Sequence, residues 1–259
     1  TPFKPGHNPL SGVPGLEETL FNYYTRGAYD EYWSAEFNDF TRYFDRHADI
    51  PGTYTSGWYD PYVIAQAYHF THMAQQNTSP QRLIVGPWTH NGMRRDATFM
   101  ADVDFGAEAE WGFKRYNPER LRYFDRWLKG IANGIEHDSP VRIFVMGGGD
   151  GSRTAPGKLS HGGKWREERE WPLARTQPTK YYLHANGALA TDIPRPSLQE
   201  TARRTFMYDP AHPVPTLGGT VTGFMEEVKF DQELDPFWEK YFPPWARTAS
   251  AWSASARAT

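Results

Sequence analysis

Leu83-Ile84-Val85-Gly86-Pro87-Trp88-Thr89-His90-Asn91-Gly92 reads as a short apolar strand running into a loop that carries a histidine. Upstream, Thr53-Tyr54-Thr55-Ser56-Gly57-Trp58-Tyr59-Asp60 delivers an aspartate from a second strand end in the same way. Between the two, Pro61 suits the first turn of a helix over Tyr62 to Gln76. Strand, helix, strand at these lengths is a βαβ unit, and such units build parallel sheets. The fold class is therefore α/β, with an acid and then a base each leaving the C-terminal end of a strand. An α/β enzyme collects its functional side chains at that edge.

Working outward, Thr1 to Gly15 is rich in proline and glycine and reads as a loop. From Leu16 to Arg46, Phe21, Tyr24, Tyr29, Tyr32, Trp33, Phe37, Phe40, Tyr43 and Phe44 recur at mostly three- and four-residue spacings, predicting a helical zone. Such a stripe usually faces a core; lining a pocket as a helical cap is the alternative. On the other side, a helix is predicted over Pro118 to Ala132, with Leu121, Phe124, Trp127, Leu128 and Ile131 as the stripe packing on the sheet and Gly130 near its end. The character changes at Asp138-Ser139-Pro140. Val141 to Met146, Lys180 to His184 and Thr205 to Tyr208 read as short strands between glycine- and proline-rich turns, the pattern of a β-sandwich or jelly roll. Thr220 to Tyr241 shows no clean alternation, and Ala246 to Thr259, almost wholly Ala, Ser, Thr and Arg, is expected to be disordered.

The 259 residues carry a formal charge of −3, with 28 basic and 31 acidic side chains. This balance gives no field favouring nucleic acid or an anionic membrane, and a small or peptide-like substrate is expected. There is no cysteine, so thiolate metal sites and disulfides are excluded. Nothing approaches an apolar run of about 18 residues, and Thr1-Pro2-Phe3-Lys4-Pro5-Gly6 is no signal peptide, which favours a cytoplasmic over a secreted protein. A start on Thr1 rather than Met is expected of a chain that begins inside a longer protein or after processing.

A lone histidine after a strand is more often structural than catalytic. Here Asp60 and His90 each follow a predicted sheet strand, and a triad acid and base must converge above one sheet edge to share an Nδ1 hydrogen bond. Their order also fits nucleophile, acid, base as found in α/β-hydrolases. The nucleophile is missing. An elbow needs Gly-x-Ser-x-Gly, and no serine here has glycine two positions before it; Ser56 lies inside a strand and Ser152 in a glycine-rich turn. The nucleophile is expected upstream of Thr1 or absent altogether.

Weaker patterns yield to commoner explanations. His69 and His72 lack a third spaced ligand, so no metal site is expected. Gly147-Gly148-Gly149-Asp150-Gly151 follows a strand but precedes no amphipathic helix, so it reads as a turn rather than a phosphate loop, and no cofactor is expected. Trp88, Trp165 and Trp171 read as packing residues rather than carbohydrate platforms.

Taken together, Tyr29-Asp30-Glu31-Tyr32-Trp33, Ser56-Gly57-Trp58-Tyr59-Asp60, Leu83 to His90, Val103-Asp104-Phe105-Gly106, Tyr123 to Gly130, Pro140 to Gly147, Tyr181-Tyr182-Leu183-His184, Tyr208-Asp209-Pro210 and Pro213 to Thr216 resemble the CocE/NonD hydrolases. That family includes X-Pro dipeptidyl-peptidases, cocaine esterase, glutaryl acylases and α-amino-acid ester hydrolases. The resemblance runs from about residue 20 to about residue 220. It implies a serine hydrolase acting on esters or amides through an acyl-enzyme, with Asp60 matching the triad acid and His90 the triad base. The family's serine and oxyanion-hole tyrosine have no counterpart in this sequence. Where α-amino-acid ester hydrolases place acidic residues after the triad acid, this chain has Pro61-Tyr62-Val63, which favours an esterase or acylase.

The resemblance divides the chain into a helical cap segment (1–52), the C-terminal part of an α/β-hydrolase domain (53–137), a partial jelly roll (138–245) and a disordered tail (246–259). One expectation is a hydrolase portion with acid and base but no nucleophile, acting on a small-molecule ester or amide. The other is a non-catalytic remnant or binding module of the same family. A homo-oligomer fits either, because strands missing before the Asp60 strand would leave an open sheet edge.

Overall fold

The structure is a computed structural model that describes residues 4–90, 97–100, 103–194 and 205–209. It divides into two compact units, Thr1–Asp49 and Ile50–Thr259.

In the first unit, helix α1 (Pro14–Thr25) begins with proline in its first turn, where the missing N–H costs nothing. The expected helical zone stops there. Asp30 turns its carboxylate back to accept from the N–H groups of Tyr32 and Trp33 (3.0 and 3.3 Å), and Asn38 donates to the Tyr32 carbonyl (2.7 Å). Side chains that capture backbone groups in this way compete with the helical ladder, and only a 3-10 segment returns at Phe40–Arg46. The aromatics gather instead as a cluster in which Tyr32 meets Tyr23, Trp33 and Phe37 edge-on at 5.2 to 6.2 Å.

The second unit is organised around β1 (Gly52–Gly57), α2 (Val63–Gln76) and β2 (Gln81–Gly86). β1 and β2 run parallel in register from Gly52 opposite Gln81 to Gly57 opposite Gly86. Leu83, Ile84 and Val85 are all fully buried, as a strand covered on both faces requires. The period of two sends Leu83 and Val85 to the layer with Phe70 of α2, Val141 and Ile143, while Ile84 joins Trp88, Met100, Phe105, Trp111 and Phe144 on the opposite face. Short strands β3 (Phe99–Met100) and β4 (Val103–Asp104) pair antiparallel, and helix α3 (Gly112–Lys129) follows.

Three expectations are corrected. Strand β5 (Val141–Met146), expected to open a separate sandwich, lies parallel to β2 in the same sheet. Beyond β6 (Leu159–Ser160), which joins β4, strand β7 (Gly163–Glu168) adds antiparallel to β5 and completes the order β1-β2-β5-β7. The alternation of Val141 and Ile143 against Phe144 fills both layers of that sheet, a partnership no local pattern reveals. The segment 180–184 forms only the two-residue β8 (Tyr182–Leu183) paired with β9 (Leu189–Ala190), and 205–208 is exposed and pairs with no strand among the described residues. The rest of the partial jelly roll expected over 138–245 falls on residues 195–204 and 210–245, outside the described ones.

The second correction concerns the helix expected at 118–132, which starts at Gly112 with Pro118 inside it. The third is its buried face. Tyr116, Glu119 and Tyr123 line the gap toward the sheet, whereas Leu121, Leu128 and Ile131 are exposed. The expectations for 213–216, 220–241 and 246–259 lie outside the described residues.

Candidate active site

After Gly57 the backbone of the first strand end stays fastened to the second. The Trp58 N–H donates to the Gly86 carbonyl (2.8 Å) and the Tyr59 N–H to the Trp88 carbonyl (3.0 Å). This approach needs glycine on the first strand: a Cβ on Gly57 would lie 1.9 Å from the Trp88 carbonyl oxygen. On the second strand, a Cβ on Gly86 would fall 2.3 Å from the Trp88 indole. Trp88 itself is anchored, donating Nε1–H to the Ala109 carbonyl (3.2 Å) and tilting against Trp111 and Trp165 at 5.4 and 5.6 Å. Trp58 is held from the other side through its Nε1–H bond to the Phe144 carbonyl (2.7 Å).

The Asp60 carboxylate is then divided between two tasks. Its N–H closes a turn on the Gly57 carbonyl (2.9 Å), and Oδ1 accepts the Tyr62 N–H (2.8 Å), an Asx turn that leads into α2. Oδ2 lies 3.1 Å from His90 Nδ1. Asp60 is 2% exposed, whereas the His90 side chain is 43% exposed. The Tyr62 ring meets the imidazole edge-on, centroids 4.9 Å apart.

A buried carboxylate at Nδ1 favours the tautomer with its proton on Nδ1, leaving the Nε2 lone pair free toward solvent. That arrangement can accept a proton from a hydroxyl and stabilise the resulting imidazolium. The two residues singled out from the sequence are thus adjacent.

The other singled-out residues are elsewhere. His72 Nδ1 faces the Tyr68 carbonyl of its own helix (2.9 Å), and no group of three His, Asp or Glu suited to a metal occurs among the described residues. The glycine run 147–151 forms a loop after β5 in which Asp150 accepts the Ser152 N–H (2.8 Å). Ser56 is fully buried, and its Oγ has no hydrogen-bond partner among the described residues. A cavity of about 220 Å³ lies under α3, lined by Thr53, Thr55, Ile84, Trp111 and Tyr123 among others, but neither Asp60 nor His90 reaches it. Sequence reasoning missed the contact of Tyr62 with the histidine; its only signal was a tyrosine two positions after the acid.

With the sheet and the Asp60–His90 contact described, comparison with known proteins shows what the chain is similar to. A family model described as X-Pro dipeptidyl-peptidase (S15 family) matches residues 7–92, and one described as X-Pro dipeptidyl-peptidase C-terminal non-catalytic domain matches residues 133–230. Cocaine esterase of Rhodococcus sp. is 33% identical over 176 residues, which is 66% of this chain but 27% of that protein. Among solved structures, an aminopeptidase from a marine sediment Thaumarchaeota archaeon aligns with TM-score 0.51 and 19% identity, over 80% of this chain and 31% of its own. A CocE/NonD family hydrolase of Staphylococcus aureus aligns with TM-score 0.43 and 16% identity, over 67% of this chain and 25% of its own. The chain belongs to the CocE/NonD hydrolase family and spans about a quarter of the length of the curated relative it matches.

Proposed function

We propose that Asp60 and His90 are the acid and base of a serine-hydrolase triad that cleaves a small-molecule ester or amide through an acyl-enzyme. The observation that carries this reading is the 3.1 Å contact between the buried Asp60 Oδ2 and His90 Nδ1. Asp60 holds the imidazole with Nε2 outward; Nε2 takes the proton of an attacking serine and later returns it to the leaving group. The serine comes from polypeptide other than these 259 residues, since none of their serines sits in a Gly-x-Ser-x-Gly elbow. Without it, such a unit loses on the order of a millionfold in rate. Pro61-Tyr62-Val63 after the acid, with no carboxylate to hold a substrate ammonium, supports an esterase or acylase over an aminopeptidase.

A fluorophosphonate probe tests the reading. The chain alone stays unlabelled, and the polypeptide encoded immediately upstream becomes labelled only when co-expressed with it and only while His90 is intact. If labelling of the pair is absent, or is indifferent to His90→Ala, the chain is a non-catalytic module of the family.

A further inference from the structure

We infer that Tyr62 is a positioning residue for His90, gripping the acid with its backbone and the base with its ring. The inference rests on the acid–base reading above and adds to it a residue outside the triad. Tyr62 touches both partners: its N–H occupies Asp60 Oδ1 at 2.8 Å, and its ring stands edge-on to the imidazole at a centroid separation of 4.9 Å. The first contact decides which oxygen is left. With Oδ1 engaged in the Asx turn, only Oδ2 addresses His90, so the carboxylate cannot rotate away without breaking the entry into α2.

The second contact answers a weakness in the site. At 43% exposed, the imidazole is held among the described residues by a single hydrogen bond, and one bond leaves the ring free to swing about it. An aromatic neighbour at this spacing and angle (68°) attracts the imidazole through the edge-on arrangement that ring pairs prefer. That shifts a rotamer equilibrium severalfold toward the conformer in which Nδ1 faces Asp60. Tyr62 can do this because its own backbone is fixed: it is the N-cap residue of α2, its carbonyl accepts the Gln66 N–H at 3.0 Å, and Pro61 precedes it. The ring is 49% exposed, so the part turned from His90 is open to solvent beside the base.

The test is long-range ¹H–¹⁵N NMR of the histidine rings in this chain, His90 being assigned by the signal lost in His90→Gln. In the unaltered protein His90 shows the pattern of the tautomer with the proton on Nδ1. Tyr62→Ala moves both ring-nitrogen shifts toward the tautomer average seen in free histidine, as a severalfold fall in the conformer facing Asp60 requires, and Tyr62→Phe, which keeps the ring and the backbone N–H, restores the original pattern. An unchanged pattern in Tyr62→Ala, or a Tyr62→Phe protein resembling Tyr62→Ala, overturns the inference. Asp60→Asn separates this failure from that of the acid–base reading: if His90 ignores Asp60→Asn, the pairing itself is wrong, whereas a response to Asp60→Asn but not to Tyr62→Ala leaves the pairing and removes Tyr62. Tyr62 is half-exposed, and the amide dispersion of each variant, recorded on the same sample, reports that the fold is retained.

Discussion

At the scale of single residues, Gly57 shows how little room the site allows. Its Cβ would strike backbone, the Trp88 carbonyl, rather than the movable end of a side chain. Gly57→Ala therefore pushes the two strand ends apart, and overpacking of this kind costs about 3 kcal/mol. A lowered urea midpoint with unchanged slope is the expected result; a midpoint equal to that of the parent protein contradicts the close approach. The glycine was visible in the sequence only as part of Ser56-Gly57-Trp58. What makes it obligatory is a residue thirty-one positions later in the chain, so the reason lies in the tertiary fold.

Two ionisable groups at the start of β1 set an alkaline limit. The Tyr54 hydroxyl bonds to Gln81 Oε1 (3.0 Å) and that of Tyr123 to the Pro51 carbonyl. Burial raises both phenols above their ordinary value, and Tyr123 pushes Tyr54 further the same way. Burial also raises Tyr59. The native state thus binds more protons than the unfolded state once pH passes the ordinary phenol value near 10, so stability is full below about pH 10 and is lost as pH climbs through the raised values. Absorbance at 295 nm should show these phenolates appearing late and together with loss of far-UV ellipticity. Their appearance at the ordinary value with ellipticity intact would contradict the burial.

At the scale of elements, β2 is the hub. Arg82, its side chain 12% exposed, reaches Glu119 of α3 and lies 3.1 Å from Asp138 before β5. Arg122 of α3 donates to the same Asp138 (2.9 Å), and Arg126 pairs with Glu136 (3.2 Å). These contacts tie three elements together at the end of the sheet away from His90. Arg82→Met leaves the partly buried Glu119 without its arginine and Asp138 with Arg122 alone, which costs about 3 kcal/mol. Urea denaturation measures this, and a loss under 1 kcal/mol would mean that Arg122 alone satisfies the cluster. The same flank explains why the reading of α3 inverted. With Arg122 and Arg126 drawn toward the segment before β5 and Tyr123 onto the start of β1, Leu121 and Leu128 turn outward while Phe124 stays at the rim of the cavity under the helix. Helical periodicity identified an amphipathic helix correctly; it could not say that the apolar stripe faces away from the sheet.

For the whole molecule, the sheet order leaves β1 at an edge with no strand on its outer side among the described residues. An open parallel edge beside an exposed apolar flank is a surface prone to association. Leu121→Glu with Leu128→Lys should weaken self-association by at least about tenfold, near 1.4 kcal/mol, as read by concentration-dependent light scattering. Identical scattering from the doubly substituted and parent chains would show that association runs through another surface.

What the sequence by itself determined is local and close in the chain: the βαβ unit, the buried strand from Leu83 to Val85, the family, and the aspartate and histidine that leave neighbouring strands. These follow from side-chain period, turn chemistry and motif order, all of which act over a few residues. Only the tertiary structure decided that Val141 to Met146 continues the same sheet rather than opening another, that the apolar stripe of α3 faces outward, and that Tyr62 leans on His90. Each of those depends on which surfaces meet across dozens of residues. An apolar strand or stripe says that burial is favourable without saying against what, and the partner is chosen by how the volumes and charges of distant segments fit.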